Sequence, residues 1–559
     1  MNVSMQLRTR ITRIQPFSWL VAGLIVLFLV PLWTFQYIPT QDGPSHLNNA
    51  LILSDYANPA FQYSKIYDLR LDPFPNWLSH AGLAALLRVF PPLTAEKILL
   101  SLYVMAFPLA FIYFLHALDP AKKPLGLLSF AFIYNYLFMM GFYNFVFSIP
   151  LIFFTLGYFW KHRARLTLLQ AVVLNGLLLL TFFGHMISYL VALGSVALIA
   201  VIQFGSQRRS FRSALASLGI QLLSLLPTIP LLVRYYLRSS FAGKIPEIDP
   251  GRIPDLLGDF FSQRVLVSYN HAGQTETAIA VAVILNLILL LSVIKRVVQR
   301  RGFKMTDTIL VLFFILFALC LLMPWDFGSG AWLNDRLALL ASLFLLGWCD
   351  ISLPFITPRP DGADSPALSV RPDQNFSAAH SESKPGRLSR AYAGGMTLLL
   401  CAASLAVLGS AAYSFQLLEP ILREYAAGGD LIQANTVLLP LNFSNGDEDF
   451  GRADPLLHAN HYLTLSNGAV NLGNYEPFVD YFPVAFKPGL NLPIYLSGSM
   501  NWNDTLEQHK HAIALCSYTH MIDYLLVWGT PDYYFKLDID QCYHLIFEKG
   551  RQKIYVPKR

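Results

Sequence analysis

Two side chains able to move a proton, the carboxylate of Asp42 and the imidazole of His46, stand four residues apart in Tyr37-Ile-Pro-Thr-Gln-Asp-Gly-Pro-Ser-His46. This is the first polar stretch after the first long apolar run. If the segment from Gly43 to Tyr56 is helical, that spacing sets both side chains on one face. A carboxylate beside a membrane-embedded cavity can act as a general base toward a hydroxyl, since partial burial lifts its pKa toward the working range. An Asp just before Gly43-Pro44 is equally a common helix N-cap, and the two roles are compatible. His46 could orient Asp42, bind a phosphate or help hold a metal, or it could be a satisfied polar residue on an interfacial helix.

Three further positions could serve an anionic ligand. His185, in Phe182-Phe-Gly-His-Met186, stands at a tight turn between two apolar runs with no loop to solvate it. An ionisable residue at such depth is a functional candidate, and a backbone-capping histidine is the bland alternative. Arg336, in Trp332-Leu-Asn-Asp-Arg336, opens another apolar run. It could grip a phosphate bidentately, pair with Asp335 or Asp326, or snorkel to headgroups. Arg264 and Tyr269, with His271, add candidates from a longer polar loop.

The elements that must position these residues are membrane spans. Over 559 residues the chain is 54% apolar, 14% aromatic and only 14% charged, a composition of polytopic membrane proteins. Eleven apolar runs approach the length of roughly 20 residues that a spanning helix needs. They are 17–37, 98–118, 125–141, 142–160, 166–183, 184–204, 214–233, 277–294, 308–325, 337–353 and 391–413. The first run follows Arg8, Arg10 and Arg13 but lacks a small-residue cleavage site, and it reads as an uncleaved anchor.

The net charge of +6 reports orientation before it reports a ligand, and no nucleic-acid motif is present. With the N-terminus cytoplasmic, the short connections bearing Lys122-Lys123, Lys161-Arg163-Arg165, Arg208-Arg209-Arg212 and Lys295-Arg296 all fall on the cytoplasmic side. Asp42 and His46 then face outward, with the first outer loop 38–97 and everything after Tyr413. The chain divides into a transmembrane part, 1–413, and an outer domain, 414–559. The cytoplasmic segment 354–390, rich in Pro, Ser, Ala and Asp, reads as a disordered linker.

In the first outer loop, Gly43 to Tyr56 and Pro75 to Phe90 carry apolar residues at helical spacing. They read as amphipathic interfacial helices anchored by Trp77, or as a small subdomain packed on itself. The tail reads as an α/β or α+β domain, with strands at 436–440, 522–528, 543–548 and 552–556, the last two forming a hairpin around Lys549-Gly550. Cys320, Cys349 and Cys401 lie in apolar runs as small fillers. Cys516 and Cys542 lie in the tail, where an oxidising compartment would allow a disulfide.

An uncleaved first span, an acid directly after it in Gln41-Asp-Gly-Pro-Ser-His46, helices in that first loop, many further spans and a C-terminal outer domain together resemble the GT-C superfamily of membrane glycosyltransferases. The resemblance covers the whole topology and implies a polyprenyl-phosphate-linked sugar as donor. It also implies, for Asp42 alone, a role as catalytic base or metal ligand. Many members carry two adjacent acids where this chain has Gln41-Asp42, which puts a divalent-metal site in doubt. The acceptor is undefined. Two other readings are a lipid-linked oligosaccharide flippase, which usually places ionisable groups near mid-membrane, and a non-catalytic scaffold. A bacterial inner membrane with a periplasmic tail suits the compact loops, although an endoplasmic-reticulum membrane satisfies the same charge rule. The orientation makes a direct prediction: in whole cells an impermeant thiol reagent labels Asn445→Cys and spares Ser377→Cys, and the reverse pattern would overturn it.

Overall fold

The computed structural model describes residues 16–206, 211–239, 242–271, 273–300, 302–327, 330–351, 387–443, 450–490, 492–493, 515–531 and 533–558. Most of the linker expected at 354–390 lies outside them. Among the described residues, eight helical stretches are long and apolar enough to cross a membrane. They comprise α1 (Pro16–Thr34), α4 (Pro92–Leu118), α5 (Tyr143–His162), α7 (Met186–Ser206), α8 (Phe211–Leu223) continued by α9 (Ile229–Arg238), α11 (Gln274–Val298), α12 (Thr308–Leu322) and α14 (Arg387–Tyr425). Two shorter helices, α6 (Leu168–Gly184) and α13 (Leu333–Trp348), occupy two more of the expected runs.

The count of eleven spanning helices is not confirmed among the described residues: α6 and α13 are shorter than the other spans, and the run 125–141 forms no long α-helix. Instead a 13-residue 3₁₀-helix, Pro120–Phe132, leads into a buried turn. It still connects the two ends of the bundle. At one end Lys122 Nζ donates to the carbonyls of Gly347 and Trp348, at 2.8 and 2.6 Å, where α13 finishes. At the other, the Met139 and Met140 carbonyls accept from the N–H groups of Gln41 and Asp42. At about 2.0 Å of rise per residue, a 3₁₀ turn covers more depth than an α-helix of equal length. Pro120 and Pro124 disfavour α-helix, and a Cβ on Gly126 would sit 2.4 Å from Ile112. Non-helical backbone survives at membrane depth only inside protein. Residues 125–140 are all buried.

Above the bundle, the first loop forms α2 (Gly43–Ser54) and α3 (Leu78–Leu87). These are the two helices anticipated there, but α2 does not lie exposed in the interface. Every residue from Gly43 to Ile52 is buried. Its polar face, which in sequence looked like the solvent side, is covered by the C-terminal region.

That region is built on a mixed sheet in the order β3-β2-β5-β7-β6. The strands are β2 (Val437–Phe443), β3 (Val470–Asn471), β5 (Tyr524–Gly529), β6 (Tyr543–Lys549) and β7 (Gln552–Pro557). β2 lies parallel to β3 and β5, β5 antiparallel to β7, and β6–β7 is the expected hairpin. The continuous apolar runs of β2 and β5 suit central strands covered on both faces. The sheet is tied to the membrane part in two places. β1 (Tyr67–Leu69) of the first loop pairs antiparallel with β4 (Val484–Phe486). The last span, α14, runs on to Tyr425, and its Glu419 carboxylate accepts from the N–H groups of Gln36 and Tyr37 at 3.0 and 3.1 Å.

Cys516 and Cys542 are joined in a disulfide with a Cα–Cα separation of 5.4 Å, bridging the approach to β5 and the end of α15 (Tyr533–Cys542). Closing the 26-residue interval restricts the unfolded chain. Cys542→Ser is expected to cost about 3 kcal/mol in denaturant unfolding of the C-terminal region. The same loss should follow from reduction of the parent protein.

Candidate functional site

The backbone before α2 is held in place from several directions. Gln41 and Asp42 hydrogen-bond through their N–H groups to the 139–140 turn, and Tyr269 donates its hydroxyl to the Pro39 carbonyl. Two glycines permit the close approach. A Cβ on Gly43 would lie 2.2 Å from Thr40 Oγ1 and 2.3 Å from Tyr143 Oη. Gly141, at φ +77°, leaves no room for one against the Gly43 and Asp42 nitrogens, at 2.5 and 2.8 Å. Asp42 is the N-cap residue of α2, yet its side chain makes no capping hydrogen bond. The carboxylate is therefore free to point elsewhere.

It points toward the C-terminal region. Gln41 Nε2 donates to Asp42 Oδ1 at 3.1 Å, and the Tyr475 hydroxyl donates to Oδ2 at 3.3 Å. His458 Nε2 stands 3.7 Å from Oδ1, its ring stacked on Tyr475 with centroids 4.6 Å apart. Burial raises the Asp42 carboxyl to about 6, against the opposing pull of His46 and of the Gln41 and Tyr475 hydrogen bonds. Gln41, where a second acid might have stood, is an amide strut. Its Oε1 accepts from the Asp454 N–H at 3.1 Å.

His46 faces a group that the sequence reading missed. Its Nδ1 lies 2.7 Å from Glu476 Oε1, and His80 Nε2 lies 2.8 Å from Glu476 Oε2. All three side chains are buried. Asn144 Nδ2 donates to His80 Nδ1 at 3.3 Å, which leaves Nε2–H of His80 to donate to Glu476. Ser45 adds a hydroxyl donor to Oε1 at 3.2 Å. Burial alone would push the Glu476 carboxyl up, but the two imidazoles outweigh it and hold the group well below the usual carboxylate range. For His46 burial pulls down, and the Glu476 carboxylate more than compensates, so its pKa is raised. Reciprocal amide bonds between Asn49 and Asn474, at 2.8 and 2.9 Å, and a Thr464–Asn48 bond at 3.1 Å extend the interface along α2.

His46, His80 and Glu476 each offer a ligand atom within 4.8 Å of the others, a set that could receive a divalent cation in place of the two direct hydrogen bonds. Close by, His458 and His461 are fully enclosed, and burial lowers both to about 3. Deeper in the bundle, Glu96 of α4 accepts from the Tyr143 hydroxyl at 2.6 Å, and Thr40 Oγ1 lies 3.0 Å from the same hydroxyl.

Arg336 and His185 form a second group, both packed on Phe145. The Arg336 guanidinium packs over Phe142 and Phe145, 4.7 and 5.5 Å from the ring centroids, with its buried Nε lacking a hydrogen-bond partner. It does not pair with Asp335, which is taken by Arg452. Arg336 lies within electrostatic reach of Tyr481, Asp335 and Asp42, and His185 lies within reach of Arg336. His185 also caps backbone, since its Nδ1 accepts from the Ile187 N–H at 3.2 Å, while its ring meets Phe145 edge-on. Asp42 and His46 thus share the start of α2, and Arg336 stands within electrostatic reach of both Asp42 and His185. Arg264 and Tyr269 do not join them. Arg264 is half exposed and paired with Asp259 at 3.0 Å, and the Tyr269 hydroxyl is occupied in bracing Pro39.

No protein-family model matches the chain, and no curated protein matches it. Among solved structures it is similar to ArnT from Cupriavidus metallidurans bound to undecaprenyl phosphate, with 11% identity and a TM-score of 0.51 over 97% of this chain and 98% of that one. The apo state of that protein aligns with a TM-score of 0.49 at 11% identity, covering 96% of each chain. The likeness is one of fold.

Glu476 carries a stability prediction. In Glu476→Gln the amide NH₂ would confront an imidazole N–H that now donates to a carboxylate oxygen. Breaking a buried charged cluster by removing one partner costs roughly 3 kcal/mol or more. The expected readout is a lowered unfolding midpoint together with faster proteolysis between the first loop and the C-terminal region. A midpoint equal to the parent's would show that the His46–Glu476–His80 contacts do not hold the first loop to the C-terminal region.

Proposed function

We propose that the protein is a membrane glycosyltransferase that moves a sugar from a polyprenyl-phosphate-linked donor to an acceptor on the outer face, with Asp42 as general base. The observation that carries this reading is the Asp42 carboxylate itself. It is buried at the end of the first span, not spent on capping, oriented by two donors, and raised to about 6. A base poised near the operating pH combines the right ionisation with a useful driving force. The fold shared with ArnT, and the layout that resembles the GT-C enzymes, supply the chemical context.

In this mechanism Asp42 accepts the proton of the acceptor's nucleophilic group as that group bonds to the anomeric carbon. The bond from that carbon to the lipid phosphate breaks, and the phosphate leaves with the electron pair. Arg336, whose buried Nε lacks a hydrogen-bond partner, offsets the developing charge, and His185 can add a neutral Nε2–H donor. His46 takes part by fixing the α2 face to Glu476, so that Asp42 keeps its place. A divalent cation bound by His46, His80 and Glu476 would add a fixed positive charge next to Asp42 and favour its ionised form. Ionisable groups in the described residues cluster at this end of the bundle rather than at its middle, which favours surface chemistry over the flippase reading.

The test is transfer by purified protein from a polyprenyl-phosphate sugar. Asp42→Asn keeps the shape but cannot accept the proton, and the rate is expected to fall by roughly 10² to 10⁴ with lipid binding retained. Because the base must be ionised, kcat/KM of the parent should hold above pH 6 and drop as pH falls through about 6, where the Asp42 carboxyl protonates. An acid limb that survives in Asp42→Asn with full activity would sink the assignment.

A further inference from the structure

A cleft of about 540 Å³ opens beside the site, between the end of α9, residues 70–74 of the first loop and residues 480–481. Arg70, Arg234 and Arg238 line it together with Tyr235 and Tyr481, facing the carboxylates of Asp72 and Asp480. Arg234 and Arg238 share the single Asp72 carboxylate, and all three of these side chains are near half exposed or more. Exposed pairs of this kind contribute little and are readily exchanged. One carboxylate also cannot saturate two guanidinium forks, each with five donors. The cleft therefore retains unspent donor capacity and a positive balance.

Its depth and its floor relate it to the site. α9 is the end of the candidate span 214–238, and Val233 and Leu237 on it are exposed as lipid-facing residues would be. The mouth thus lies at the membrane surface. At the inner end, Tyr481 and Tyr235 both lie within electrostatic reach of Arg336, and Tyr481 also of Asp42. Arg336, nine-tenths buried with an unpartnered Nε, stands behind them. Arg70 completes the connection by donating to the carbonyls of Pro477 and Val479, in the turn that follows Glu476. A series of guanidiniums leads from the bilayer surface toward Asp42.

We propose that this cleft, through Arg70, Arg234 and Arg238, receives the phosphate of a membrane lipid and delivers it toward Arg336, so that it is the entry and docking site of the lipid-phosphate substrate. The inference rests on the glycosyltransferase reading for the identity of that lipid. Guanidinium forks match phosphate oxygens in pairs, and the rings of Tyr235 and Tyr481 offer apolar faces to the first isoprenoid carbons.

The experiment uses the full-length protein in detergent, with undecaprenyl phosphate and phosphatidylglycerol as separate probes, comparing the parent with Arg234→Gln/Arg238→Gln, Arg70→Gln and Asp42→Asn. Since Arg234 and Arg238 are partly exposed, the double variant should keep the parent's melting temperature, and Arg238→Gln alone serves if it does not. Affinity for undecaprenyl phosphate is expected to fall tenfold or more in the double variant. Phosphatidylglycerol binding should be unchanged, and Asp42→Asn should bind like the parent. Undiminished undecaprenyl phosphate binding in both arginine variants would overturn the proposal. So would an equal loss for both lipids, which would mark a general headgroup contact. Loss of transfer in Asp42→Asn beside normal binding in the arginine variants would remove the cleft and leave the enzyme reading standing. The converse result would remove Asp42 as base and keep the cleft.

Discussion

The Glu476 carboxylate, enclosed between the imidazoles of His46 and His80, is the contact on which the rest of the site depends. A buried carboxylate is tolerated only when its lone pairs are met, and here two ring nitrogens and the Ser45 hydroxyl meet them. Because the histidines belong to the first loop and the glutamate to the C-terminal region, satisfying this one charge requires the two parts of the chain to close on each other. Closure buries the polar face of α2, which the Asn49–Asn474 and Asn48–Thr464 bonds then complete. It also carries Tyr475, the residue next to Glu476, onto the Asp42 carboxylate. Orientation of the proposed base is thus a by-product of neutralising its neighbour.

Rigidity beneath Asp42 comes from a different source. The 120–141 segment crosses the bundle as 3₁₀-helix and turn, and delivers two carbonyls to the Gln41 and Asp42 N–H groups. A regular α-helix would have bonded those carbonyls internally. Irregular backbone inside the protein core leaves acceptors available to anchor a loop, and Gly43 and Gly141 let the two strands of chain approach closely enough to use them. With N–H groups, side-chain donors and the glycine contacts all specified, the carboxylate has little freedom. A general base gains from such restriction, since proton transfer depends on geometry before pKa.

Electrostatic asymmetry across this centre completes the arrangement. On the C-terminal side lie neutral His458 and His461, whose burial disfavours charge. On the bundle side lies Arg336, largely buried and held over aromatic rings. In the proposed reaction a departing phosphate would find compensation on the Arg336 side. The basic cleft at α9 continues that positive side to the membrane surface.

Much of this was legible in the chain itself. Apolar runs of spanning length, the basic clusters between them, the β6–β7 hairpin and the Asp42–His46 spacing all rest on local periodicity, composition or turn chemistry, and each can be read without knowing what lies opposite. His46, His185 and Arg336 stood out for the same reason, as polar groups where the immediate neighbourhood offers no water. What the tertiary structure alone decided depends on partners far apart in sequence. Glu476 lies 430 residues from His46 and looked like one acid among several in a polar tail. The polar side of α2 looked solvated because its cover is supplied by residues 464 to 476. The run 125–141 satisfied every compositional test for a spanning helix, yet Pro120 and Pro124 just before it and the crowding at Gly126 disfavour an α-helix, and the tighter winding found instead is accommodated by an enclosing bundle. Local physics sets which segments leave water. Which buried charge is neutralised by which partner is settled only when distant segments meet.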